Sequence, residues 1–206
     1  MHAFLDRLAS AAPTPGGGGA AAATAAMGAA LLSMATRLTL GKKLEEPRRA
    51  DLQAQLTSSE ALRAGLTELV AADARAVDRL IEAYRMPAAD EQSRAARAAA
   101  VDSAMRTAVQ VPLDLARSCL EGIHLANRCV ASCHRNVAGD AAAGVLALQA
   151  ALRTCALNIS INAPALQDAA YAARSRAAVA AMLGAGLPLA DGALRLVSER
   201  LAIQGV

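Results

Sequence analysis

An all-α fold, an up-and-down bundle built around one buried Ala/Gly-rich helix, is predicted by three features of the sequence. Hydrophobic residues make up 55% of the 206 positions, yet there are only one Phe, two Tyr and no Trp. A core of Ala, Leu, Val and Met suits close helix–helix packing better than a β-sandwich. Apolar residues recur at helical spacing over long stretches, and convincing period-two alternation is missing. The length and even composition point to one domain over residues 1–206.

The elements follow in order. Phe4, Leu5 and Leu8 share a face of a short helix over 3–11, which Pro13 and Pro15 end. A second helix runs from Gly18 to Leu38 and is apolar on nearly every side, as befits an element surrounded by others or lying in a subunit interface. Pro47 suits a first turn, and Leu52, Leu56, Leu62, Leu66, Leu69, Val70, Val77 and Leu80 carry a third helix to Tyr84. A fourth spans 90–133; Pro112, which has no N–H to give, is expected to kink or break it. Gly139-Asp140 reads as a turn and N-cap for a fifth helix ending near Asn158. Two last helices are expected over 164–183 and 188–204, with Gly184 and Gly186 closing the first of them. Leu157 to Asn162 alternates like a strand, but on a helix it sets Asn158 and Asn162 on one face.

Composition also excludes functions. The net charge of +3 is mild and the basic residues are dispersed, so no nucleic-acid footprint is visible. Residues 16–36 are uncharged and long enough to raise a membrane question. Alanine gains little from a bilayer, however, and a buried core helix is the expectation, without a membrane partner. No basic segment followed by an apolar one opens the chain, and four cysteines are too few for a disulfide framework, so a cytoplasmic protein with reduced thiols is expected.

The candidate chemistry starts at Pro13-Thr14-Pro15-Gly16-Gly17-Gly18-Gly19. Consecutive glycines are costly in a helix, so the backbone here either turns sharply or is closely approached. No Gly-Lys-Ser/Thr follows and no strand precedes, which rules out a phosphate loop and a dinucleotide fingerprint. A ligand-facing wall without Cβ atoms, at a helix N-terminus, is the better reading. Cys129, Cys133 and His134 invite a zinc site, with Cys119 and His124 upstream, but their spacing suits buried helix cysteines better, and no metal is expected. Asp73 and Asp78 lie in a segment otherwise poor in acids, Asp140 suits an N-cap, and the paired amides of Asn158 and Asn162 need partners if buried.

Taken together, the sequence resembles the cyclodeaminase/cyclohydrolase family of folate enzymes. The matching stretches are Phe4 to Ser10 with the Pro-Thr-Pro-Gly run, Met27 to Met34, Leu38 to Lys43 and Asp73 to Pro87. They continue with Ala108 to Leu113, Asn136 to Asp140, and Gly144 to Asn162. Two segments depart from the family pattern: Gly139 stands where Ser is frequent, and Cys133-His134-Arg135 replaces a glycine-containing segment. The resemblance implies an all-α homodimer without metal or cofactor. The implied activity is hydrolysis of 5,10-methenyltetrahydrofolate to 10-formyltetrahydrofolate. Ammonia-releasing cyclisation of formiminotetrahydrofolate is the alternative, and a non-catalytic folate-binding protein is a second one. On this reading Asp140 and Asp73 handle protons near the substrate cation, Asn158 and Asn162 orient the pterin or formyl oxygen, Gly16, Gly17, Gly18 and Gly19 line the folate, and Lys42 and Lys43 meet its glutamate tail.

Overall fold

A computed structural model describes residues 1–203. Its helices are α1 (His2–Leu8), α2 (Gly17–Leu40), α3 (Glu46–Arg85), α4 (Glu91–Ser132), α5 (Ala138–Asn162) and α6 (Ala169–Leu201), with short 3-10 turns at Arg135–Val137 and Ala163–Ala165. Among the described residues there is no strand, and Leu157 to Asn162 is helical.

Helices α2 to α5 form a square of successive antiparallel neighbours, closed by α2 against α5, and α6 fills the groove between α4 and α5. The directions follow from the contacts. Gly18 meets Asp73 at one end of the α2–α3 pair, and Arg37 meets Glu60 toward the other. Asn162 reaches Ala108, while further along Leu148 meets Gly122. Helix α6 runs parallel to α4, with Asp168 beside Arg106 and Leu189 beside Asn127. Leu32, Leu66, Ile123, Leu148, Leu152 and Ile159 fill one contiguous core. Between α2 and α5 the backbones nearly touch: a Cβ on Gly28 would stand 2.9 Å from the Gly144 carbonyl oxygen, and one on Gly144 would stand 3.0 Å from that of Gly28. Two glycines thus allow an approach that any side chain would prevent.

Neither proline breaks its helix. Pro112 sits buried inside α4, and the carbonyl it leaves without a donor is that of Ala108, four residues earlier. The Asn162 side-chain amide donates to that oxygen at 3.2 Å. Pro188 lies inside α6, so the two helices expected over 164–204 are one. The carbonyl this proline orphans belongs to exposed Gly184, where solvent serves it. Gly186 closes nothing: it is buried, and a Cβ there would press on Leu152 at 2.9 Å. The expected end at Gln204 lies outside the described residues. Helix α5 starts earlier than expected, because His134 caps a 3-10 turn by accepting from the Asn136 N–H. Asp140 therefore belongs to the first turn of α5 and is not its N-cap.

By length and composition α2, α6 and the segment Arg135–Ala165 could each cross a membrane. In the bundle α2 lies between α3 and α5, with Ala22, Ala25, Ala29, Leu32 and Ala35 fully buried.

Candidate functional site

Helix α2 begins at Gly17 with Gly16 as N-cap and no side-chain cap of its own. Its first turn therefore presents free N–H groups and partial positive charge. What meets them is Asp73, from α3. A Cβ on Gly18 would lie 2.0 Å from Asp73 Oδ1, and one on Gly19 would lie 3.5 Å from Oδ2 and 3.4 Å from Pro15 Cβ. The Cβ-free wall expected to face a ligand thus faces a carboxylate at Gly18, whereas Gly17 has nothing within 4 Å and Gly16 only the Pro13 carbonyl at 3.9 Å. Burial raises the Asp73 pKa above the ordinary carboxylate value, and the Gly19 backbone N–H draws it partly back. A half-buried carboxyl with its pKa raised, held against a helix N-terminus, is a candidate for proton transfer.

The segment between α1 and α2 is tied down beside this point. Arg7 Nε donates to the Thr14 carbonyl at 2.8 Å, and the buried Thr14 hydroxyl donates to Asp78 Oδ1 at 3.4 Å. Between that segment and α3 lies an open cavity of about 530 Å³ that includes Phe4, Arg7, Thr14, Pro15, Arg75 and Asp78 in its lining. Arg7, Thr14 and Arg75 escaped the sequence reading; the signal available was a small polar residue held between two prolines next to the glycines.

The candidate residues divide between the two ends of the bundle. Gly16 to Gly19, Asp73, Asn158 and Asn162 lie at the end where α2 starts and α5 finishes. Lys42 and Lys43 are exposed just past the other end of α2, about 36 Å away along its axis. With Gly28 against Gly144, Asp140 falls level with Leu32, roughly 20 Å along the axis from Gly18. Within one chain, then, Asp140 and Asp73 do not form a pair, because α2 and α5 are antiparallel. The Asn162 amide donor is already committed to Ala108, while Asn158 is half-buried.

The cysteine cluster has a structural setting. Cys129 and Cys133 are buried; Thr36 Oγ1 lies 3.7 Å from Cys129 Sγ, and Arg200 donates to the carbonyls of Val130 and Cys133, closing the C-terminal end of α4. Hydrogen bonding from Cys129, then the Arg200 guanidinium, favours the Cys133 thiolate and holds its pKa down at about 6. Among the described residues no three His, Cys, Asp or Glu side chains converge as metal ligands would.

Comparisons with known proteins agree with this architecture. Residues 1–185 match the family model described as Formiminotransferase-cyclodeaminase. A protein named methenyltetrahydrofolate cyclohydrolase, from Methylorubrum extorquens, is 48% identical over 84% of this chain and 83% of its own length. The formimidoyltransferase-cyclodeaminase of Sus scrofa is 34% identical over 89% of this chain, which spans about a third (34%) of that longer protein. In fold, the chain resembles the crystal structure of formiminotetrahydrofolate cyclodeaminase from Thermotoga maritima, with a TM-score of 0.79, 23% identity, and coverage of 98% of this chain and 95% of that one.

Proposed function

This chain belongs to the formiminotransferase-cyclodeaminase family, and from that premise we propose that it is a methenyltetrahydrofolate cyclohydrolase, hydrolysing 5,10-methenyltetrahydrofolate to 10-formyltetrahydrofolate. The observation that carries the reading is the near full-length likeness, at 48% identity, to a protein of that name. The site supports it with a half-buried carboxyl of raised pKa beside a helix N-terminus.

The substrate supplies its own electrophile, a cationic carbon bridging N5 and N10, so the reaction calls for no cofactor or metal. Water adds its oxygen to that carbon while Asp73 takes one of its protons. The neutral tetrahedral adduct then breaks its bond to N5; N5 keeps the electron pair and receives the proton from Asp73. The hydroxyl proton leaves as the formyl C=O forms on N10, and one proton is released overall. Asp73 also favours the substrate electrostatically, since a carboxylate in a partly dry site attracts a bound cation. Gly18 lets the carboxylate reach that position, and Asn158 stands at the same end to orient the ring. Asp140 and the two lysines take no part in this step within one chain.

The functional unit is a homodimer in this reading. Met27, Met34 and Leu38 of α2 and Leu146, Leu157 and Ile161 of α5 are exposed large apolar side chains on two adjacent helices, a face suited to a second copy. Free, buried thiols at Cys119, Cys129, Cys133 and Cys155 support a cytoplasmic location.

The test follows near-ultraviolet absorbance of methenyltetrahydrofolate with the purified chain, then offers formiminotetrahydrofolate and measures ammonia. Accelerated decay of the first compound is the expected result. Ammonia release from the second with no effect on the first would instead make the chain a cyclodeaminase. Binding without turnover would make it a folate-binding protein.

A further inference from the structure

We propose, resting on the folate reading above, that the cavity between α1 and α3 holds the benzoylglutamate end of the substrate, with Arg75 and Arg7 receiving its carboxylates. The cavity begins where the Asp73 site ends. Pro15 lines it, yet also stands 3.4 Å from the Cβ position of Gly19; Val70 lines it too, and its carbonyl lies 3.9 Å from the same point. A ligand with its reacting carbon at Asp73 therefore passes from one to the other over Pro15, without crossing the bundle.

The lining matches an anionic aryl amide. Phe4, the sole phenylalanine of the chain, offers a flat apolar wall on which a benzoyl ring stacks. Arg7 spends its Nε on the Thr14 carbonyl, which orients the guanidinium and leaves its two terminal nitrogens as donors. Arg75 lies in the same lining, and among the described residues neither arginine has a carboxylate within ion-pair distance. Asp78, steadied by the Thr14 hydroxyl, is placed as acceptor for the amide N–H that joins ring and glutamate. Two planar forks and one acceptor suit a dicarboxylate amide better than a simple anion.

Two rival places for the tail are less favourable. Lys42 and Lys43 lie at the far end of α2. A second arginine-lined cavity, with Tyr84, Arg94 and Arg97, sits eleven residues further along α3 from Asp73, about 16 Å away.

Binding of para-aminobenzoylglutamate and of para-aminobenzamide, which lacks the glutamate, is measured by calorimetry on the full chain, together with KM and kcat for methenyltetrahydrofolate. In Arg75→Gln we expect binding of the first probe about tenfold weaker, the second probe unaffected, and the substrate effect confined to KM. Arg75→Lys keeps part of the affinity, and Arg94→Gln matches wild type. Both side chains are at the surface, and a thermal melt checks each fold. The inference is overturned if wild type fails to bind para-aminobenzoylglutamate at millimolar concentration, or if Arg75→Gln binds it as wild type does. It is also overturned if Lys42→Gln/Lys43→Gln loses it instead, which would place the tail on lysines of a second copy. Arg75-dependent probe binding without turnover would leave the subsite standing and remove the cyclohydrolase reading; turnover with Arg75-independent binding would do the reverse.

Discussion

Replacing Gly18 by alanine tests whether the glycine run exists to admit Asp73. An alanine Cβ at this position falls 2.0 Å from Asp73 Oδ1, 2.6 Å from Cγ and 2.9 Å from Oδ2. Ordinary contact begins near 3.4 Å, so the carboxylate must retreat by more than an ångström or α2 must part from α3. Overpacking of this kind costs about 1–3 kcal/mol, offset by up to about 1 kcal/mol from the better helix propensity of alanine. A net loss of about 1–2 kcal/mol lowers Tm by about 2–8 °C in a protein of this size. A displaced base should cost turnover about a hundredfold. Gly17→Ala is the control, because nothing lies within 4 Å of its Cβ position; it should be neutral or stabilising by up to about 1 kcal/mol. The double variant Gly18→Ala/Asp73→Ala should regain stability over Gly18→Ala alone without regaining turnover. Thermal melts and the absorbance assay read all four proteins. If Gly18→Ala and Gly17→Ala are alike in both, Asp73 is not held against the first turn of α2.

Three other perturbations bear on the rest of the molecule. Burial raises the folded pKa of Asp73, so its contribution to stability is full below the ordinary carboxylate pKa and is lost as pH rises through the raised one. Asp73→Asn should therefore melt at or above the wild-type temperature at pH 7 and lose that advantage on acidification toward about pH 4, while turnover falls by about 10²–10⁴. Asn162→Ala strips the donor from the Ala108 carbonyl and should cost about 1–3 kcal/mol. In a Pro112→Ala background a backbone N–H is restored, and urea unfolding should show the Asn162→Ala cost shrinking. Leu146→Asp, on the exposed apolar face, should shift the sedimentation coefficient from dimer to monomer with little change in helix content.

Much of this was legible in the sequence, and the failures share a cause. Pro47 and the period of apolar residues marked α3 to within a residue or two, since those signals act locally. Pro188 does not divide the last helix as expected, because the cost of a proline in a helix depends on who serves the orphaned carbonyl. For Pro112 that is Asn162, fifty residues away in sequence, and for Pro188 it is solvent at Gly184. Asn162 reads as a ligand group for the same reason: a buried amide needs a partner, but the sequence does not say whether that partner is substrate or backbone. Asp140 and Asp73 were joined as a pair because both are acids in recognisable segments. Only the antiparallel packing of α2 on α5 shows that they sit at different heights. Asp73 stands out in the sequence as a candidate acid, whereas the glycine that accommodates it reads there as a wall for a ligand.

The contact between Gly28 and Gly144 works as a ratchet pawl for the whole assembly. A slide of α2 along α5 by one turn would bring Thr24 or Leu32 to the place Gly28 holds against the opposing carbonyl, so the glycine pair favours the observed axial setting. The position of the α2 N-terminus against Asp73 is inherited from that setting, ten residues or about 15 Å away. Substitutions at this distant notch will read out as misplacement of the base rather than as loss of any group that touches the folate.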